Sequence, residues 1–326
     1  MGKSIGKYVT KRKRTNYKLR KISTTLLVVL SIVTFIKISK TLGSLYKGRN
    51  VENSKIEFYM SVADEIGEKR VQVNWQELLA LDMVINDGDL TNIRKKDTLN
   101  LGEKFIEKQT SLKGETVYKI KSLDEVADKL NFSKEQKTQL NKNIDNLKYT
   151  SLSKETLNEN SSKIIFINQI KGVAIENYNK YGILPSITVG QAILESGWGK
   201  SELTKRGNNL FGIKADDRWK GDKLELETSE NYDDKLVASF REYSSLTDSI
   251  RDHGKFLAKN QRYTEHGLFE SYHYTTQAQA LEDAGYSTKT NEKGENIYAD
   301  MLIEIIRNYN LQLLDHSVEL TKGYCK

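Results

Sequence analysis

In the stretch AILESGWG, residues 192–199, one carboxyl group interrupts a run that is otherwise free of charge. The residues just before it, ITVGQAIL, carry few polar atoms on any side, which predicts a central helix rather than a surface one. Ser186 or Thr188 is placed to cap its start, and Gly197 to end it. Glu195 then stands in the last turn, where apolar neighbours and the negative end of the helix dipole both disfavour its anion. A carboxyl kept protonated near neutral pH is what a general acid needs to protonate a glycosidic oxygen. The competing reading is a helix-terminal Glu paired with Lys200 or Lys205.

Residue types suited to holding a sugar follow. Asn208, Asn209 and the FGIK turn that contains Phe211 would set side-chain amides and a tight, glycine-permitted backbone beside the helix end. The same NNLFG segment also reads as a loop with one buried Phe. Trp219, Tyr263, Tyr286 and Tyr298 offer flat faces for the C–H surface of sugar rings, although some of them must be core. From Lys223 to Tyr243 the pattern alternates and breaks at YDDK, which predicts a β-hairpin with Glu225, Glu227 and Glu230 on its first arm.

These residues need a scaffold. Ile164, Ile167, Ile170, Ala174 and Tyr178 fall on one helical face, and Gly182 with Pro185 punctuates the connection into the Glu195 helix. A catalytic domain is expected over residues 158–316, with a tail over 317–326. Ahead of it, residues 51–157 read as a helical accessory or spacer domain. Apolar spacing supports helices over 73–85 and 122–144, with capping boxes at Ser122/Glu125 and Ser133/Gln136. NDGDLTN, residues 86–92, lacks the Gly and closing Glu of a calcium loop and reads as a turn. Trp75 lies on an apolar stripe and reads as core rather than as a carbohydrate platform.

The net charge of +7 is an address rather than a binding face. The first 50 residues hold 13 Lys and Arg and no acid, leaving 38 bases against 44 acids in the rest. That balance argues against nucleic acid as a partner. The one cysteine, Cys325, excludes an internal disulfide, and the four histidines lack ligand spacing, so no metal or cofactor is implied. Residues 1–21 form a basic tail ahead of an apolar run that begins at Ile22, with Lys37 and Lys40 able to snorkel and apolar residues resuming through Tyr46. A transmembrane anchor over 22–46 is expected, uncleaved, with the amino end cytoplasmic and the remainder on the wall side of a bacterial membrane.

The series AILESGWG, NNLFGIKADDRWKGD, TSENYDDKLVASFREYSS, DSIRDHGKFL, NQRY, DAGYS and NIYADMLIEIIRNYNL resembles the wall-lytic glucosaminidases of glycoside hydrolase family 73. The resemblance runs from Ile183 to Leu313 with its motifs in order. It implies a mostly helical, lysozyme-like α+β domain with a small β-hairpin lobe, acting on peptidoglycan glycan strands at the GlcNAc-β-1,4-MurNAc bond. It also implies Glu195 as the acid, Glu230 in Thr228-Ser229-Glu230 as the second carboxylate, and a tyrosine, Tyr286 ahead of Tyr298, assisting through the acetamido group or the transition state. The sequence departs from the family after Tyr286, where STKTNEKGENIY carries extra residues. Protein partners in the membrane or the wall machinery are an expectation for residues 51–157.

Overall fold

A computed structural model of the chain describes residues 51–68, 70–111, 114–229 and 235–322. The basic tail, the expected anchor, Glu230 and the Asp-Asp turn lie outside the described residues. Among the described residues no helix is long and apolar enough to cross a membrane.

The polar amino-terminal part does form helices, for the reasons its capping residues suggest. Helix α1 spans Asn53–Gly67 and α2 spans Trp75–Ile85, the latter begun by Asn74, whose side chain accepts from the backbone of Gln76 and Glu77. Trp75 is fully buried, as its apolar stripe requires. Helix α3 (Lys95–Gly102) tightens into a single 3-10 turn before strands β1 (Ile106–Thr110) and β2 (Thr116–Ile120), paired antiparallel with Ile106 opposite Ile120. Helices α4 (Leu123–Lys129) and α5 (Lys134–Leu147) each start with the expected reciprocal capping box.

The β1–β2 hairpin corrects the all-helical reading of this region. Its first strand, IEKQT, is too polar to show an alternation, and only Val117 and Ile120 of the second are buried.

The second half is built around one helix. After α6 (Ser162–Tyr181), Gly182 turns the chain at φ 78°, and Pro185 occupies the first position of α7 (Pro185–Ser196). Every residue of α7 from Pro185 to Ile193 is buried, so the helix runs through the core. Helix α8 (Glu202–Gly207), the antiparallel pair β3 (Lys223–Ser229) and β4 (Lys235–Arg241), and helices α9 (Leu246–Lys259), α10 (Gln261–Glu265), α11 (Tyr274–Asp283), α12 (Tyr298–Asn308) and α13 (Gln312–Lys322) complete the chain. Among the described residues the architecture is mostly helical with two small two-stranded sheets.

Gly190 lets α12 lie close on α7, since a Cβ there would meet Leu302 Cδ1 at 2.8 Å. Two expectations are corrected here. No side chain of α7 caps its own start; Asp315 of α13 accepts from the Ser186 backbone at 2.9 Å and from its hydroxyl at 2.5 Å. Residues 317–322 are therefore not a tail: α13 continues to Lys322 and buries Val318 and Glu319.

The two halves share buried polar contacts. Glu319 accepts from the Gln72 backbone at 2.6 Å, and His316 Nδ1 lies 2.9 Å from the Gln72 carbonyl. Asn310 donates to the Thr150 carbonyl at 2.7 Å and accepts from the Trp75 indole at 3.3 Å. Asp64 accepts from Tyr274 at 2.6 Å and pairs with Arg307 at 2.7 Å. A spacer held at a distance is not what these contacts describe; residues 52–157 are built into the back of α11, α12 and α13.

Candidate active site

Glu195 occupies the last turn of α7, and Gly197 follows in the left-handed conformation at φ 55°, as the spacing predicts. Unlike the nine buried residues that open the helix, it is exposed. Among the described residues no salt bridge joins it to Lys200 or Lys205, which removes the competing reading. Enough protein surrounds the carboxyl to desolvate it and hold its pKa above the ordinary Glu value, opposed by a hydrogen bond from Tyr298 and by the charge of Lys289.

Tyr298 is the first residue of α12 and is buried, so it is not a platform for a sugar. Its hydroxyl accepts from Gln191 Nε2 at 2.9 Å and reaches Glu195. Tyr286 is half-buried in the turn after α11, its ring 5.2 Å from that of Tyr298, and its hydroxyl is pushed well above the ordinary phenol range by burial and by the nearby Glu195 charge. The structure thus brings Glu195, Tyr286 and Tyr298 together. Tyr263 sits behind them, fully buried, its hydroxyl accepting from Arg262 at 2.5 Å. It is core, not a substrate contact.

The Asn-Asn-x-Phe segment is also structural. Asn208 closes α8 at φ 50° and donates to the Tyr243 carbonyl at 2.9 Å. Buried Asn209 spends its whole amide on the chain: Nδ2 donates to the carbonyls of Ile213 and Arg241, and Oδ1 accepts from the backbone of Phe211 and Ile213. Phe211 is buried and stacks on His253 with ring centroids 3.8 Å apart. These three residues tie the turn to β4, to the segment just after it and to α9 rather than reach outward, because a loop buried this deeply must satisfy its backbone internally.

Trp219 is half-buried. Its indole donates to the Asp222 carbonyl at 2.8 Å, and the Arg241 guanidinium lies 4.7 Å from its ring, covering one face. Glu225 and Glu227 lie on one exposed face of β3, while Leu224 and Leu226 point the other way and are half-buried. Glu230 follows beyond the described part of this strand.

Two groups near the carboxyl, and one beside Tyr286, escape the sequence reading. Gln191 lies one helical turn before Glu195 and is the other long polar side chain of α7, which is the signal that would have found it. Lys289 belongs to the extra segment after Tyr286, folded back so that Ile297 N donates to the Lys289 carbonyl at 3.2 Å. His253 is fully buried with both ring nitrogens unpartnered, and burial pulls its pKa to about 3, so it is neutral.

The comparisons with known proteins agree on where this chemistry belongs. Residues 171–311 match the glucosaminidase family model, described as mannosyl-glycoprotein endo-beta-N-acetylglucosaminidase. The exo-glucosaminidase LytG of Bacillus subtilis is 37% identical over 157 residues, covering 46% of this chain and 53% of that protein. The peptidoglycan hydrolase FlgJ of Vibrio parahaemolyticus is 37% identical over 150 residues, 43% of this chain and 45% of that one. Among solved structures, the catalytic domain of the autolysin Auto from Listeria monocytogenes is 30% identical, covering 56% of this chain and 98% of that domain at a TM-score of 0.42. The class is that of a glycoside hydrolase domain. More narrowly, residues 171–311 are a glucosaminidase domain of glycoside hydrolase family 73. The chain spans about half the length of the curated relatives it matches.

Proposed function

We propose that the chain is a peptidoglycan hydrolase, an endo-β-N-acetylglucosaminidase on a lysozyme-like domain, that cleaves the GlcNAc-β-1,4-MurNAc bond with Glu195 as general acid. The observation that carries this reading is the setting of Glu195: an exposed carboxyl at the end of a buried helix, its pKa raised above the ordinary Glu value by desolvation, inside a glucosaminidase domain. The relatives' names, glucosaminidase and peptidoglycan hydrolase, supply the substrate class.

In this mechanism Glu195 gives its proton to the glycosidic oxygen as the bond to the GlcNAc anomeric carbon breaks. Positive charge develops on that carbon, and the new Glu195 carboxylate is stabilised by the Tyr298 hydroxyl and the Lys289 charge. Tyr286, beside the carboxyl, would serve the acetamido group or the oxocarbenium-like transition state. Water completes the reaction: its hydroxyl goes to the anomeric carbon and its remaining proton to a carboxylate of the site, Glu230 or the Glu195 left ionised, while the leaving sugar keeps the first Glu195 proton. Glu230 would activate that water or stabilise the charge, a role that rests on the resemblance.

Residues 22–46 would anchor the enzyme in the membrane with its catalytic domain on the wall side, a reading supported by the basic and apolar pattern of the amino terminus. Residues 51–157 would carry any contacts to membrane or wall-machinery proteins.

The test is mass spectrometry of borohydride-reduced muropeptides after digestion by the purified chain, wild type and Glu195→Gln. Reduced GlcNAc ends made by wild type alone are expected. Reduced MurNAc or anhydro-MurNAc ends would move the cleaved bond to that of a muramidase or lytic transglycosylase, and binding without new ends would make the chain a wall-binding scaffold. Long products would accord with endo action, and short ones released from chain ends with the exo action named for the Bacillus relative. Carbonate extraction and protease shaving of intact cells test the anchor.

A further inference from the structure

A tyrosine hydroxyl owns one proton, and where it sends that proton depends on its other partner. Tyr298 sits between two groups of α7 spaced one turn apart, Gln191 and Glu195. Gln191 is fully buried and Tyr298 nearly so, leaving no room for bulk water to substitute for either. Gln191 Nε2 lies 2.9 Å from the Tyr298 hydroxyl, while Gln191 Oε1 is buried with no hydrogen-bond partner.

This arrangement has a direction. With the amide nitrogen facing the tyrosine, the hydroxyl accepts from Gln191 and its own proton is left for another acceptor, the neighbouring Glu195 carboxyl. Were the amide oxygen to face it, the tyrosine would spend its proton on Gln191. We infer that Gln191 is a positioning residue for the candidate acid: its amide turns the Tyr298 proton toward Glu195, so that the tyrosine always donates to that carboxyl. Two consequences follow. Before the acid step, the proton of Glu195 is left to point at substrate rather than at Tyr298; after it, the new carboxylate meets a donor already in place, with no reorganisation. A leucine or methionine at 191 would fill the same core but leave the hydroxyl free to rotate.

The charged and titratable groups around Glu195 are few. Tyr298 faces it from α12, and Tyr286 from the turn after α11, with Tyr263 and Arg262 of α10 behind. Lys289 faces it from the extra segment, and α7 adds no other charge.

The inference rests on Glu195 being the acid, and the experiment separates the two ideas. The pH dependence of kcat and KM is measured on solubilised glycan strands with the full chain as wild type, Gln191→Met, Tyr298→Phe and the double variant, beside Glu195→Gln. Gln191→Met is expected to lower kcat about three- to tenfold, the size of one neutral hydrogen bond, with KM nearly unchanged. Its alkaline limb should move to higher pH, because a carboxylate that has lost its donor holds its proton longer. Tyr298→Phe should move the limb further the same way, and the double variant should match Tyr298→Phe alone. An unmoved limb in Gln191→Met, or effects that multiply in the double variant, would overturn the inference while an inactive Glu195→Gln leaves the acid assignment standing. An active Glu195→Gln would remove the acid assignment itself. If circular dichroism shows that Gln191→Met does not fold, Gln191→Leu carries the test: an alkaline limb moved to higher pH supports the inference, and an unmoved limb overturns it.

Discussion

The two ends of α7 each meet a carboxyl group, and the two carboxyls are opposites in almost every respect but one. At the start, Asp315 reaches in from α13 and takes the Ser186 N–H and hydroxyl; at the end, Glu195 belongs to the helix itself. The helix dipole favours an anion at the Asp315 end and disfavours one at the Glu195 end. Burial nevertheless raises both, Asp315 to about 7 in spite of its two Ser186 hydrogen bonds. What separates them is access: Asp315 is buried and Glu195 is exposed. A raised carboxyl alone is therefore a poor guide to catalysis; a raised carboxyl with an open side is a better one.

Four experiments would break or sharpen this contrast. Glu195→Gln should lower turnover by roughly 10²- to 10⁴-fold, the usual span for a general acid, with no loss in thermal stability. Asp315→Ala should do the reverse, leaving turnover per folded molecule near wild type. It strips two buried donors of their acceptor, so urea denaturation should show a loss of about 2–5 kcal/mol. A large activity loss in folded Asp315→Ala would erase the distinction between the two ends.

The pH dependence of stability is the third test. Asp315 has a folded pKa near 7 against an ordinary value of 3.8, so the folded state binds the extra proton in that interval. Its contribution is fully present below the unfolded value and is lost as pH rises through the folded one, up to ~4 kcal/mol at 1.36 kcal/mol per unit. Asp315→Asn should flatten that decline in denaturant midpoints between pH 4 and 8. Glu195, by contrast, should register in activity: the alkaline limb of the rate profile should lie above the ordinary Glu value. The smallest effect is expected midway along the helix. Gly190→Ala pushes Leu302 away and should cost about 1–3 kcal/mol of stability while loosening the Tyr298 contact and lowering turnover modestly.

Much of this site can be read from residue order, and the limits of that reading are physical. Local chemistry announces itself: the capping boxes at Ser122 and Ser133, the Gly197 stop, the Glu195 turn and the β3–β4 hairpin all rest on neighbours within a few residues. Residue type does not say which way a side chain faces, so Asn209, Phe211, Tyr263 and Tyr298 read as sugar contacts although the fold buries them. Nor does order reveal partners far apart, such as Ser186 and Asp315, which are separated by 129 positions. Gln191 falls between these cases: its spacing from Glu195 is visible, but its meaning needs Tyr298, 107 positions away.

The contacts of Asp64 with Tyr274 and Arg307, and of Gln72 with Glu319, bear on how this protein can be dissected. A fragment begun at residue 158, where composition suggests a boundary, would uncover the Glu319 carboxylate and leave Arg307 without its acid at the far end of the helix that Tyr298 begins. The unit that can be moved, swapped or crystallised by itself therefore starts near Glu52, and the helices ahead of the glucosaminidase domain travel with it as part of its foundation.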